Sequence, residues 1–170
     1  MTVYVALLRG VNLGKRQLKM EDLRRVATEL GLDGAKTYIA SGNLLFRSAK
    51  SEATLKQELE GAIGAHMGAR VGVMIRSAME LAAVTKADPY ADQPGNRVVA
   101  FFLDDAPPRD CVAAATNVVD ERLALGSREI YVNYPSGQGQ SKLRIPAAKD
   151  GTARNMNTVA KLAELAKEME

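Results

Sequence analysis

Val3-Tyr4-Val5-Ala6-Leu7-Leu8-Arg9-Gly10-Val11-Asn12-Leu13-Gly14-Lys15-Arg16-Gln17-Leu18-Lys19 decides how the chain is read. Its first six residues are a short apolar run, the pattern of a buried strand. The next eleven carry Arg9, Lys15, Arg16 and Lys19, no carboxylate, and two glycines. Glycine admits left-handed backbone, and successive amides in such a bend make a concavity that faces an anion. Beyond the loop, Glu21 and Asp22 oppose the positive end of a helix dipole. Leu23, Val26, Ala27 and Leu30 fall on one face of that helix, and Gly31 can end it.

Further along, Lys36 to Ala40 reads as a strand, Ser41-Gly42-Asn43 as a turn and Leu44 to Arg47 as the returning strand. Ser48 or Ser51 can cap a helix striped by Leu55, Leu59, Ala62 and Ile63. Gly64 and Gly68 loosen its end before a strand at Arg70 to Ile75. The order is βαββαβ, that of ferredoxin-like folds. In this topology strands one and two run together and strand three returns. The loop 9–19, the turn 41–43 and the link 64–69 therefore emerge at one end of the sheet, with Asn12, Ser41 and Asn43 near Arg9 and Lys15.

The rest reads as a helix from Ala78 to about Lys86, a turn-rich link through Pro89, Pro94, Gly95 and Asn96, and a strand from Val98 to Leu103. An alanine-rich helix at Val112 to Val119 follows, then a hairpin of Arg122 to Leu125 with Glu129 to Tyr134. After a long loop, the last helix places Val159, Leu162, Ala163, Ala166 and Met169 on one face. That order is β-α-β-β-α, the first half without its last strand, and no residue-level repeat is evident. The expected fold class is α+β: a ferredoxin-like half over 1–77 and a second α/β half of related order over 78–170. The two form one compact unit with a boundary near 87–97.

Charge is unevenly placed. The chain has a formal net charge of +3, and a second basic stretch carries Lys142, Arg144, Lys149 and Arg154 against Asp150. Two basic loops on an acidic remainder point to a localised anion site. In the second loop Gly137 and Gly139 allow close backbone approach, and Ser141, Lys142, Arg154 and Asn155 offer donors. Thr152 or Thr158 can cap the last helix. The plainer reading is a polar surface loop that tethers a packed helix.

Several chemistries fail on spacing. Gly10 to Lys15 has three residues between its glycines and Arg16 after the lysine, where a P-loop needs four and a hydroxyl for magnesium. The glycine spacing does not fit a dinucleotide fingerprint either. His66 and Cys111 are the only histidine and cysteine, so no zinc cluster and no intramolecular disulfide is available. No Gly-x-Ser-x-Gly elbow presents a nucleophile. Asp104-Asp105 and Asp120-Glu121 are adjacent pairs whose side chains diverge on extended backbone, which reads as solvated charge. Val3 to Leu8 is too short for a signal core or a membrane span, which gives a cytoplasmic expectation.

Arg9-Gly10-Val11-Asn12-Leu13-Gly14, then Met20 with Leu23, then Thr37-Tyr38-Ile39-Ala40-Ser41-Gly42-Asn43-Leu44-Leu45-Phe46, resemble the opening signature of the bacterial domain of unknown function 1697 family. Ser141-Lys142-Leu143 and Thr152-Ala153-Arg154-Asn155-Met156-Asn157-Thr158-Val159 resemble its closing signature. Lys15 and Met156 depart from it, standing where relatives commonly carry glycine and tryptophan. The resemblance implies a small α+β protein with ferredoxin-like elements and no established activity, and it makes both basic loops motif residues.

The functional expectation is a binding module for an anionic, phosphorylated or nucleotide-like small molecule. Its residues are Arg9, Gly10, Asn12, Gly14, Lys15, Ser41 and Asn43, with Ser141, Lys142, Arg154 and Asn155 from the second half. Nucleic-acid binding is the alternative, and an enzyme acting on a phosphorylated substrate the third reading. No cofactor, metal or membrane partner is implied, and the oligomeric state is left open.

Overall fold

The computed structural model describes residues 1–170. The apolar run forms β1 (Thr2–Leu8), which pairs antiparallel with both β3 (Asn43–Ser48) and β4 (Val73–Ser77). β2 (Asp33–Thr37) pairs antiparallel with β3, giving the order β2-β3-β1-β4. Two helices, α1 (Met20–Glu29) and α2 (Glu52–Met67), supply the crossovers. Ala6, Leu8, Leu44, Phe46, Val73 and Ile75 from the strands cluster with Leu23, Val26 and Ala27 of α1 and with Leu55, Leu59 and Ile63 of α2. Each of these valine, leucine, isoleucine and phenylalanine side chains contributes roughly 1.5–3 kcal/mol on full burial. Val5, Leu7 and Leu45 are buried as well, so β1 from Val5 to Leu8 is buried on both faces and does not alternate.

Local chemistry sets the element ends. Ser51, not Ser48, caps α2 by accepting from the Thr54 N–H at 3.2 Å, and Gly68 closes it in a left-handed conformation. β2 starts and stops three residues earlier than its sequence suggests, because Ile39 takes φ +51° and breaks the extended run. The Tyr38 N–H still reaches the Asn43 carbonyl at 3.0 Å, which closes the turn.

The second sheet comprises β5 (Val98–Phe102), β6 (Arg122–Leu125), β7 (Glu129–Asn133) and β8 (Thr152–Asn155), all antiparallel in the order β6-β7-β5-β8. Helix α3 (Ala78–Lys86) precedes it and α4 (Met156–Glu168) ends the chain. The helix expected at Val112 to Val119 is absent; the segment is a run of turns. Of the residues around it only Cys111 faces inward, and Val119 is 88% exposed, so a helix here would have no apolar face to bury. Thr116 instead exchanges main-chain hydrogen bonds with Arg144, at 2.9 and 3.0 Å.

β8 is the strand missing from the sequence reading, and with it both sheets share one connectivity. β5 stands where β1 does, β7 where β3 does and β8 where β4 does. The Leu103 N–H donates to Arg128 as that of Leu8 donates to Gly42, each at 2.9 Å. Each last strand ends in a buried arginine, a capping residue and a helix. Arg76 and Ser77 lead into α3, where Ser77 accepts from the Glu80 N–H at 3.1 Å. Arg154 and Asn155 lead into α4, where Asn155 Oδ1 accepts from the Thr158 N–H at 2.9 Å. The cap of α4 is thus Asn155 and neither threonine. The repeat exists in this strand–arginine–cap–helix passage, and the two crossovers of the second sheet lack the helices of the first.

The chain divides into two compact units, Met1–Leu81 with Leu162–Glu170, and Ala82–Lys161. Within the first, Arg47 pairs with Asp33 at 2.7 Å and donates to the Met169 carbonyl at 3.1 Å. Within the second, the buried Tyr131 hydroxyl donates to the Val84 carbonyl of α3 at 2.6 Å. No helix is long and apolar enough to cross a membrane.

Two substitutions test these constraints. Gly42 lies at φ +90°, and an added Cβ would meet Val11 Cγ2 at 2.7 Å and Leu8 Cβ at 2.9 Å. Gly42→Ala is therefore expected to cost at least about 2 kcal/mol in chemical denaturation, from strain and overpacking together. Tyr131→Phe is expected to cost about 1 kcal/mol, leaving a buried carbonyl unpaired; an unchanged midpoint would mean that the bond adds nothing.

Candidate functional site

The basic loop leaves β1 under tight main-chain control. The Leu8 N–H donates to Gly42 at 2.9 Å and the Arg9 N–H to Gly72 at 2.8 Å, so the strand is held on both sides at the point where the loop begins. Gly10, Asn12 and Gly14 then take φ of +67°, +59° and +60°. Alternate residues in the left-handed region fold the chain back on itself.

Asn12 is the brace. Its Nδ2 donates to the Leu18 carbonyl at 3.0 Å and the Ala40 carbonyl at 2.6 Å, and its Oδ1 accepts from the Leu18 N–H at 2.7 Å. One side chain thereby closes the loop and fastens it to the β2–β3 turn. Arg16 makes the third tie, its Nη2 donating to the Arg70 carbonyl at 2.6 Å while its Nε is buried without a partner. The expected meeting of the three connections at one end of the first sheet is what these bonds show.

The three connections carry charge of one sign, while carboxylates of the flanking helices stand beside them: Glu60 of α2 accepts from the Val73 N–H at 2.9 Å, and Asp22 lies in the first turn of α1. Residues 9–19, 38–42 and 68–72 contain Arg9, Lys15, Arg16, Lys19 and Arg70 and no aspartate or glutamate. Arg9, Lys15, Lys19 and Arg70 are exposed. Asn43 is fully buried and donates to the Tyr38 carbonyl at 2.8 Å and to Ser41 Oγ at 2.9 Å. Of the first-half residues expected at a site, Arg9 and Lys15 face solvent, Gly10 and Gly14 bend the backbone, and Asn12, Ser41 and Asn43 hold the bends together.

The second-half residues separate. Ser141 and Lys142 line a cavity of about 350 Å³ with Asp120, Glu121, Ser136 and Gln140 among its walls. Arg154 and Asn155 are not in that lining; they belong to β8. Arg154 is buried, with Nη1 bonded to Thr152 Oγ1 at 2.8 Å and to the Ala153 carbonyl at 2.9 Å. Burial pushes its guanidinium down to about 10, which leaves it charged at neutral pH.

Asp120 and Glu121 are not the solvated pair that adjacency suggests. Glu121 is buried, takes the Ser141 hydroxyl on one oxygen, and takes the N–H groups of Val119 at 2.7 Å and Asp120 at 3.1 Å on the other. The serine hydroxyl first, then the backbone donors, hold this carboxyl below its ordinary range. Asp120 accepts from Ser136 at 2.6 Å. The serines lie 16 and 20 residues away, a separation with no recognisable motif. His66 sits 3.6 Å from Asp22, and burial raises the Cys111 thiol.

A family model described as "Protein of unknown function (DUF1697)" matches residues 1–131. The conserved bacterial protein SP0830 from Streptococcus pneumoniae has a solved structure similar to this one. The TM-score is 0.82 at 29% sequence identity, over 98% of this chain and 99% of that one. No curated protein matches the chain.

Asn12→Ala removes three hydrogen bonds and leaves alanine at positive φ, an expected loss of roughly 2–4 kcal/mol. Faster amide exchange in residues 12–18 would accompany it; an unaltered exchange pattern would refute the brace. For Glu121, a folded-state pKa below the unfolded one means stability that is present above the unfolded value and lost as pH falls through the folded one. Ser141→Ala weakens that coupling, so the variant should lose less stability than the parent between about pH 5 and about pH 3, around the unperturbed carboxylate value of about 4.3. Thermal unfolding across that range measures it.

Proposed function

We propose that this chain, which belongs to the DUF1697 family of proteins of unknown function, is a binding module that takes an anionic, phosphate-bearing ligand at the basic end of its first unit. The observation that carries this reading is the one-signed charge: five cations and no carboxylate on three connections tied together by Asn12, Arg16 and the end of β1. Cations clustered on a braced backbone present a positive potential to an approaching anion. Arg9 and Lys15 supply charge, and Gly10 and Gly14 let the backbone approach the ligand closely. The reading does not draw on Asn12, Asn43, Arg154 or Asn155, whose side chains are bonded within their own units.

Binding is favoured over catalysis because the one histidine is paired with a carboxylate and the one cysteine is inaccessible. His66 stands beside Asp22 and Cys111 is buried. A cytoplasmic setting accords with the single free cysteine.

Calorimetric titration with pyrophosphate and with nucleoside phosphates tests the reading. A charge-assisted hydrogen bond contributes roughly 1.5–3 kcal/mol, so Arg9→Ala and Lys15→Ala should each weaken binding about tenfold or more. Unchanged affinities in both variants would place the ligand elsewhere.

A further inference from the structure

The basic end also carries apolar side chains that a small anion does not need. Leu13 is 70% exposed and Ile39 49% exposed, one on the loop and one on the turn that Asn12 joins to it. Ile39 is the more informative. It is β-branched and held at φ +51°, a conformation that such residues rarely adopt because Cβ crowds the neighbouring carbonyl. Strain of this kind persists only where the surroundings enforce it. Here Asn12 holds the Ala40 carbonyl on one side of Ile39 and Asn43 holds the Tyr38 carbonyl on the other. The fold thus fixes an aliphatic side chain in water, in an unfavourable backbone state, on the turn that Asn12 ties to the basic loop.

A ligand that rewards this arrangement has both repeated negative charge and flat apolar faces. We propose that the basic end binds single-stranded nucleic acid, with Arg9, Lys15, Lys19 and Arg70 along the phosphates and Leu13 and Ile39 against unstacked bases. The proposal rests on the anion-binding reading above and narrows its ligand class. A duplex keeps its base faces stacked and leaves the two aliphatic side chains without a partner. An anionic lipid surface fits less well: the side chains of Leu13 and Ile39 hold eight carbons together, fewer than the single acyl chain that gives only marginal anchoring. A strand needs no insertion, and the guanidinium planes of Arg9 and Arg70 can also stack on bases.

Fluorescence anisotropy with labelled oligo-U and oligo-dT of about twelve nucleotides, titrated over a salt series, tests this. Single strands give a slope of log K against log salt of about −0.7 for each neutralised phosphate, so three or four engaged cations predict about −2 to −3. Lys15→Ala should flatten the slope by about one such step. Ile39→Asn should weaken binding severalfold with the slope unchanged while raising the melting temperature, because asparagine tolerates the left-handed region. A purely structural role for Ile39 predicts no loss of binding. Oligonucleotides that bind no more tightly than a nucleoside monophosphate, with the slope of one phosphate, would overturn the proposal and leave the small-ligand reading standing. Equal dependence on Ile39 for binding vesicles with a third phosphatidylserine would overturn it in favour of a lipid surface. Absence of binding to any phosphate-bearing probe would remove both readings.

Discussion

The main-chain bonds at the end of β1 govern the first unit. A central strand bonded on both sides fixes where its neighbours begin: Leu8 to Gly42 of the β2–β3 turn, Arg9 to Gly72 before β4. Since β3 and β4 both run opposite to β1, their entries have no choice but to lie beside its exit. Three connections far apart in sequence are thereby gathered, and their cations accumulate in one place. The second sheet repeats the constraint through Leu103 and Arg128.

The repetition shows what an element order can carry without sequence likeness. The strand order is the same in both sheets, yet the crossovers differ: α1 and α2 in the first unit, turns and two short 3-10 segments in the second. Helical crossovers provide an apolar face that covers one side of the first sheet. The irregular crossovers instead pair through Thr116 and Arg144 and through the serine–carboxylate bonds. A cavity opens among them. These polar bonds act beside apolar packing, since Cys111, Leu143 and Ile145 of the crossovers join the second core cluster.

Much of the first unit was legible because its signals are local. The stripe Leu23, Val26, Ala27 and the stripe Leu55, Leu59, Ile63 follow the helical period and are buried as that period requires. Alanines at 113–115 misled for the same reason: they favour helix intrinsically, but the segment is a run of turns closed by the Thr116–Arg144 main-chain bonds. β8 was hidden because four residues, Thr-Ala-Arg-Asn, hold no alternation and become a strand only through pairing with β5. The shared passage Arg76-Ser77 and Arg154-Asn155 was visible in principle, as arginine followed by a capping residue ahead of each helix.

Sequence by itself determined the α+β class, the order of elements in the first half, the one-signed charge of residues 9–19 and the presence of a single cysteine and a single histidine. These depend on composition and short-range period, which a chain carries whatever its fold. Tertiary structure decided how the polar residues are used. Asn12 and Asn43 read as ligand donors from their neighbours in the chain, and became braces because carbonyls at Ala40 and Tyr38 came within reach. Arg154 read as a loop cation, and pairing with β5 buried it. Glu121 read as solvated, and a serine brought from twenty residues away clamped it. A hydrogen bond between side chains distant in sequence leaves no periodic trace, so only the folded chain shows which polar groups are already bonded and which face solvent.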